Sequence, residues 1–510
     1  MGFYIQFGKV GDEMEKVLQQ KKVTKRPFVL IAIMIAMFMS AVEATIVSTA
    51  MPKIVAELGK FSLYSWVFSS YLLMQTVTIL IYGKLSDLFG RKPVFTFGVI
   101  VFILGSLLCG LSTSMEMLIL FRFIQGFGAG AVQPIATTIV GDMYSKEERA
   151  KIQGYLSSVW GISSILGPAL GGFFVMYASW SYVFWLNIPL GILSLIGVWF
   201  FFHENMDKQK QSIDYLGSAF VFIGISALML VLVEGGVRYA WLSTEMLSLM
   251  SVSILFFVLF IWQEKRSKNP TMPFEMWRNR LILTSNLTSL TTGMILIGVS
   301  SYLPAFVQGV MGKSALVAGF SLTTMSIGWP IASTLAGKLV LKYHYRNVSI
   351  VGGIFLIIGA IIFSLLTPVL GPWWAALGSF IIGIGMGLTS TTFIIAIQTT
   401  VDWSKRGIAT ATNLFMRSLG STVGAAFLGG ILNSQLKREI EQAGLSTERV
   451  SVDMTNVLLD PILRGEMSSK MINVLEKGLT TGLHTVYMTL VLLSVISFFF
   501  IMKMPKKNRE

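Results

Sequence analysis

Three ionisable side chains stand inside otherwise apolar stretches of the chain: Glu43, Arg122 and Arg417. A charge taken into hydrocarbon is costly, so each must face a protein interior or a watery cavity and have a partner or a task there. Glu43 is the only carboxylate well inside such a stretch. A carboxyl group so placed can exchange a proton as the balance between desolvation and a nearby cation shifts; the plainer alternative is a structural ion pair. Glu43 lies seven residues before the end of its apolar run at 50, and Arg122 seven residues after the start of its own at 115. With the two runs crossing in opposite directions, both charges sit at similar depth. Arg417 lies about 14 Å into its run at the usual helical rise. It could meet a substrate carboxylate, Glu43 or a helix end, or serve structure alone. Other chemistries are excluded. Cys109 is the single cysteine and His203, His344 and His484 are scattered, which leaves no disulfide framework and no histidine or CxxC metal centre. No GxxxxGK[ST] segment is present to hold ATP, and no resident cofactor is expected.

Three further segments have spacing that matters. Gly83 to Lys92 reads GKLSDLFGRK: Gly83 and Gly90 permit a tight turn, Asp87 can face a helix N-terminus or a cation, and Arg91 adds positive charge. Arg122 opens RFIQGFGAG in the fourth apolar run, and Gly161 to Gly172 reads GISSILGPALGG in the fifth. In the latter, Pro168 removes a backbone hydrogen bond while Gly161, Gly167, Gly171 and Gly172 allow close helix approach. Trp66, Tyr71, Gln75 and Trp160 join Arg417 as candidate walls of a central cavity. Aromatic faces attract cations, and the 28 methionines repack around varied shapes.

The elements that must position these residues follow from composition. Of 510 residues, 54% are hydrophobic and 13% charged, against about a quarter charged in soluble proteins. About 20 apolar residues span a bilayer as a helix. Such runs fall at 27–50, 63–82, 93–112, 115–141, 154–177, 182–202, 213–233, 245–263, 283–308, 316–339, 347–368, 374–400, 408–432 and 480–502, fourteen in all. If both termini are cytoplasmic, the inner segments hold 28 of the 40 Lys and Arg and the outer ones 10, six of those in 434–479. The net charge of +14 is thus read as topology, with no nucleic acid involved. Segment 434–479 is expected as either an amphipathic outer cap or a mobile loop.

The chain also repeats itself. Gly126, Gly128 and Gly130 recur 257 residues on as Gly383, Gly385 and Gly387, and Gly167 and Gly172 as Gly424 and Gly429. Gly83-Lys84-Leu85 recurs 254 residues on as Gly337-Lys338-Leu339, in a second copy where the acid position is Leu341 and the later glycine is His344. Repeated halves are a common plan of membrane transporters. The register gives a cytoplasmic segment 1–26, a six-helix half 27–202, an inserted pair 203–263, a cytoplasmic linker 264–282, a second six-helix half 283–502 and a cytoplasmic tail 503–510: an all-α membrane protein arranged 6+2+6.

The GKLSDLFGRK loop, the Arg122 motif, the Gly167 to Gly172 core, the Glu43 to Pro52 segment and Trp180 with Asn187 and Pro189 together resemble the fourteen-helix drug:proton antiporters of the major facilitator superfamily. That family usually has Asp at Glu43 and Asn at Ser48, and its antiporter motif usually has Gly at Ser163. The resemblance implies the major facilitator fold and a non-enzymatic exporter of small lipophilic, cationic compounds. It would be driven by a proton gradient and sit as a monomer in the inner or plasma membrane. Glu43 and Arg122 would couple protons. Gly83, Asp87, Gly90, Arg91 and Asp142 would latch the halves, and Gly161, Gly167, Pro168, Gly171 and Gly172 would form the antiporter motif. Export of one metabolite, peptide or siderophore is the alternative; a channel or membrane sensor is a more distant one.

Overall fold

A helix that satisfies its own backbone is the one open structure hydrocarbon tolerates, so the apolar runs fold as helices. The structure, a computed structural model, describes residues 24–144, 146–204, 214–235, 239–267, 272, 274–401, 406–443, 455, 458 and 469–506. Among them lie fourteen long helices. The first half has α1 (Arg26–Leu58), α2 (Tyr64–Phe89), α3 (Arg91–Gly110), α4 (Met115–Met143), α5 (Lys146–Tyr177) and α6 (Ser181–Phe201, interrupted at Leu186). An inserted pair follows, α7 (Tyr215–Glu234) and α8 (Thr244–Arg266). The second half has α9 (Arg280–Val310), α10 and α11 (together Ala315–Ser364, parting at the kink at His344), α12 (Gly371–Thr400), α13 (Arg406–Gln442) and α14 (Ser469–Met502). Thirteen of the helices are long and apolar enough to cross a membrane; α2, with 26 residues, packs among them. No strand forms among the described residues beyond an isolated bridge between Gly235 and Tyr239. The end of α9 turns π-helical over Phe306–Val310 just after Pro304, where the missing N–H breaks the regular ladder.

The repeat extends to packing. In the first half α1 packs on α5, and α4 on α2 and α3; in the second α9 packs on α13, and α12 on α10 and α11. The glycines explain the match, because each admits a neighbouring backbone where a side chain would collide. Gly126 lies against Tyr71 and its counterpart Gly383 against Met325, while Gly128 lies against Phe102 and Gly385 against Leu356. Gly130 lies against Gln75 and Thr78, and Gly387 against Trp329 and Ala332. Every partner is displaced by 254 residues, as the turn motif is.

The halves meet along α5 with α10, α2 with α13, and α1 with α9. The inserted helix α7 packs on both α2 and α13, and so covers that seam from outside. Its partner α8 is the least buried of the candidate spans.

Two features add to what the spacing predicts. Segment 434–479 is largely helical where described: α13 runs to Gln442 and α14 starts at Ser469, beyond their apolar runs. Lys477 Nζ bonds Glu439 Oε2 at 3.0 Å and Gly478 lies against Leu436, so the two polar extensions pack on one another. The second turn motif also keeps its shape despite losing its glycine. Gly90 holds φ 101° and ψ 153° between α2 and α3, and His344 holds φ 61° and ψ 152° in the same place between α10 and α11.

Candidate functional site

Five helices of the first half meet around one ion pair. α4 presents Arg122 and, three residues on, Gln125; α1 presents Glu43; α3 presents Ser106; and α6 presents Asn187 just after its break at Leu186. Arg122 Nη1 donates to Glu43 Oε1, and also to Gln125 Oε1 at 2.7 Å. Asn187 Nδ2 donates to the other carboxylate oxygen, Oε2, at 2.6 Å. Gln125 Nε2 donates to Ser106 Oγ at 2.8 Å, and Arg122 Nε to the Val67 carbonyl of α2 at 3.1 Å. The guanidinium lies 4.1 Å from the centre of the Tyr71 ring, a cation–π arrangement. Glu43 is 0% exposed and Arg122 2%, and Gln125, Ser106 and Asn187 are likewise buried.

The pair is electrically neutral, both oxygens of Glu43 are engaged, and water is shut out. Arg122 and Asn187 supply the hydrogen bonds that a carboxylate buried this deeply requires, and removing the charge on either member would cancel the attraction that joins α1 to α4. The Asn187 Oδ1 atom is buried without a hydrogen-bond partner among the described residues.

Around this pair, the small residues of the Gly161 to Gly172 segment seat α5 between two neighbours. Gly167 lies against Thr45 and Val42 of α1, and Gly171 against Ile46 and Thr49, the stretch that carries Glu43. Gly172 meets Leu316 of α10, and Pro168 meets Gly319 of α10. Ser163 donates its hydroxyl to the Phe38 carbonyl of α1 at 3.4 Å, so the residue replacing glycine adds a bond at that contact. Gly161 is looser: a Cβ there would lie 3.5 Å from Pro330 of α10.

The cavity candidates separate. Tyr71 is buried beneath Arg122 and belongs to the ion-pair site, its ring face serving the guanidinium instead of a cavity. Trp66 packs with the cluster around α7 and α13. Gln75 is half-buried and Trp160 is 37% exposed. Arg417 is half-buried, with its guanidinium 5.9 Å from the Trp329 ring centre and no hydrogen bond or ion pair among the described residues. Of the latch candidates, Arg91 turns inward within its own half: Glu204, after α6, accepts the N–H groups of Arg91 and Lys92 at 3.1 Å each and pairs with Arg91 Nη1 at 3.6 Å. Gly90 makes the turn, while the side chains of Gly83, Asp87 and Asp142 lie outside the described residues. Ser106 and Gln125 were not foreseen as site residues. Gln125 carries a signal, being three residues from Arg122 on one helix face; Ser106 carries none.

A bundle of two repeated halves, with an intramembrane ion pair in one and an inserted pair at the seam, defines a multi-pass membrane transporter and not an enzyme. The chain belongs to the Major Facilitator Superfamily, whose family model matches residues 33–425. It is 38% identical over 416 residues to "Multidrug resistance protein 3" of Bacillus subtilis (strain 168), covering 82% of this chain and 81% of that protein. It is 35% identical over 424 residues to "Multidrug transporter protein MdtP" of the same organism, covering 82% and 78%. Its fold is similar to the crystal structure of a bacterial homolog of the human lysosomal transporter Spinster, with a TM-score of 0.67 at 16% identity over 94% of this chain and 97% of that one. Both Bacillus relatives are named for multidrug resistance or multidrug transport, and the fourteen long helices among the described residues agree with the resemblance carried by the motifs.

Proposed function

We propose that the protein is a proton-coupled efflux antiporter of a plasma or inner membrane, with both termini cytoplasmic, that exports lipophilic compounds, cations among them. The halves 27–202 and 283–502 rock about a central cavity while the pair 203–263 stays at their seam. The sealed Glu43–Arg122–Asn187 cluster is the observation that carries this reading. When Glu43 takes a proton, its attraction to Arg122 falls, and Asn187 can turn its free Oδ1 to accept the new O–H. α1 then shifts on Gly167 and Gly171 of α5, and α5 passes the shift to α10 through Gly172 and Pro168. Substrate and proton never need to touch; they compete through the position of α1 and α5. Inward proton movement is favoured by the membrane potential at about 2.3 kcal/mol per charge per 100 mV.

The test is efflux of a rhodamine methyl ester, a lipophilic cation, from proteoliposomes under an imposed pH gradient. Glu43→Gln keeps the shape and removes the titrating group, so gradient-driven efflux is expected to fall to background while dye binding persists. Undiminished gradient-driven efflux in Glu43→Gln would sink the role given to the carboxylate.

A further inference from the structure

Of the three charges well inside the apolar runs, Glu43, Arg122 and Arg417, only Arg417 has no opposite charge beside it among the described residues. Arg122 has Glu43, and Glu43 has both oxygens occupied by Arg122 and Asn187, so it is not available to Arg417. The guanidinium carries five N–H donors, and its described contact is the face of Trp329. An intramembrane arginine in that condition is tolerated where it borders a water-filled cavity or meets an anion.

Its location follows from the seams. The next residue, Ser418, bonds Thr76 of α2 at 2.6 Å across the two halves. Trp329 stands on α10, the helix through which this half meets α5. A guanidinium that leaves α13 beside the α2 seam and reaches the indole of α10 therefore lies on the surface that the second half turns toward the first. The repeat agrees. Displacements of 257 and 254 relate Arg417 to Trp160 and Trp329 to Gln75, and the contact of Ser418 with Thr76 to that of Gly161 with Pro330. Trp160, 37% exposed, and Arg417, which has no opposite charge among the described residues, thus hold corresponding places on the two facing walls.

We infer that Arg417 and Trp329 form an anion subsite of the substrate cavity, and that the compounds this protein handles best are aromatic amphiphiles bearing a carboxylate, zwitterions included. A carboxylate takes two parallel N–H bonds from the guanidinium, Trp329 backs the cation, and Trp160 offers its ring to the aromatic body of the ligand. The proposal rests on the exporter reading above and narrows its substrate class.

The experiment compares the free acid of a rhodamine dye with its methyl ester, which share one ring system and differ in the carboxylate. Equilibrium binding to purified protein in detergent needs neither a gradient nor turnover. Wild type is expected to bind the acid roughly tenfold or more tighter than the ester, the scale of a charge-assisted hydrogen bond. Arg417→Gln should erase that preference and leave ester binding in place, which also shows that the variant folds; Arg417→Lys should keep part of it. Equal affinities in wild type, or equal weakening of both dyes in Arg417→Gln and Arg417→Lys, would overturn the proposal. Efflux of both dyes that ignores the pH gradient would instead count against proton coupling, while the binding comparison still decides the subsite.

Discussion

Glu43 and Arg122 neutralise one another where neither has water, and that fixes what their removal should do. Taking away one partner leaves the other as an uncompensated buried charge, at a cost of about 3–5 kcal/mol, whereas taking both away leaves a polar but uncharged site. Arg122→Gln alone should therefore lower thermal stability more than the double variant Glu43→Gln with Arg122→Gln. Thermal unfolding of the purified proteins checks this, and simple additivity of the two single effects would show that the pair does not act as a unit. The charges themselves were legible in the sequence, because intramembrane ions are rare and counting residues from the run ends put both at one depth. Their companions were not. Asn187, Gln125 and Ser106 are uncharged, and only the packing of α3, α4 and α6 brings them to the carboxylate. Tyr71 was misplaced for a similar reason: an aromatic residue on α2 reads alike whether it faces a cavity or an arginine, and the guanidinium on its ring decides.

Among the elements, the turns between α2 and α3 and between α10 and α11 show what the repeat preserves. Gly90 meets a positive φ without cost, but His344 adopts φ 61° and ψ 152°, a region almost reserved for glycine. The second half holds a strained residue so that α10 and α11 leave the turn at the angle the fold requires. His344→Gly should accordingly raise stability by about 1 kcal/mol, and Gly90→Ala should lower it by a similar amount. Denaturation of the two variants side by side measures both, and a less stable His344→Gly would show that the imidazole contributes more than the backbone loses. The helices were legible because twenty apolar residues admit little else. Their ends were not: α1 continues to Leu58 and α13 to Gln442, where polar side chains bond to one another and extend a helix past the hydrocarbon. The inserted pair was visible as an interruption of the register, yet its seat on α2 and α13 depends on contacts such as Gly430 against Leu232, which no spacing reveals.

At the scale of the whole molecule, several bonds between the halves among the described residues lie toward the end opposite the start of α1. Tyr64 Oη donates to the Ser301 carbonyl at 2.7 Å, Gln308 Nε2 to that of Thr49 at 3.2 Å, and Asn433 Nδ2 to that of Ser62 at 2.8 Å. Gly172 meets Leu316 at the same end, while Thr76 with Ser418 and Gly161 with Pro330 lie nearer the middle. The proposed rocking of the halves would part these contacts, and the loss is spread over several neutral hydrogen bonds worth about 1 kcal/mol each, so no single one locks the molecule. A covalent tie between the halves should. Cysteines replacing Gly161 of α5 and Pro330 of α10, where a Cβ on the first would lie 3.5 Å from the ring of the second, stand close enough in this arrangement to be oxidised to a disulfide, and the one native thiol, Cys109, is buried. The cross-linked protein is held in the arrangement described here, so its efflux in proteoliposomes should drop to background and return on reduction. Efflux at the wild-type rate with the disulfide demonstrably intact would mean that the α5–α10 contact never opens during turnover, and alternating access by rocking of the halves would have to be abandoned for this protein.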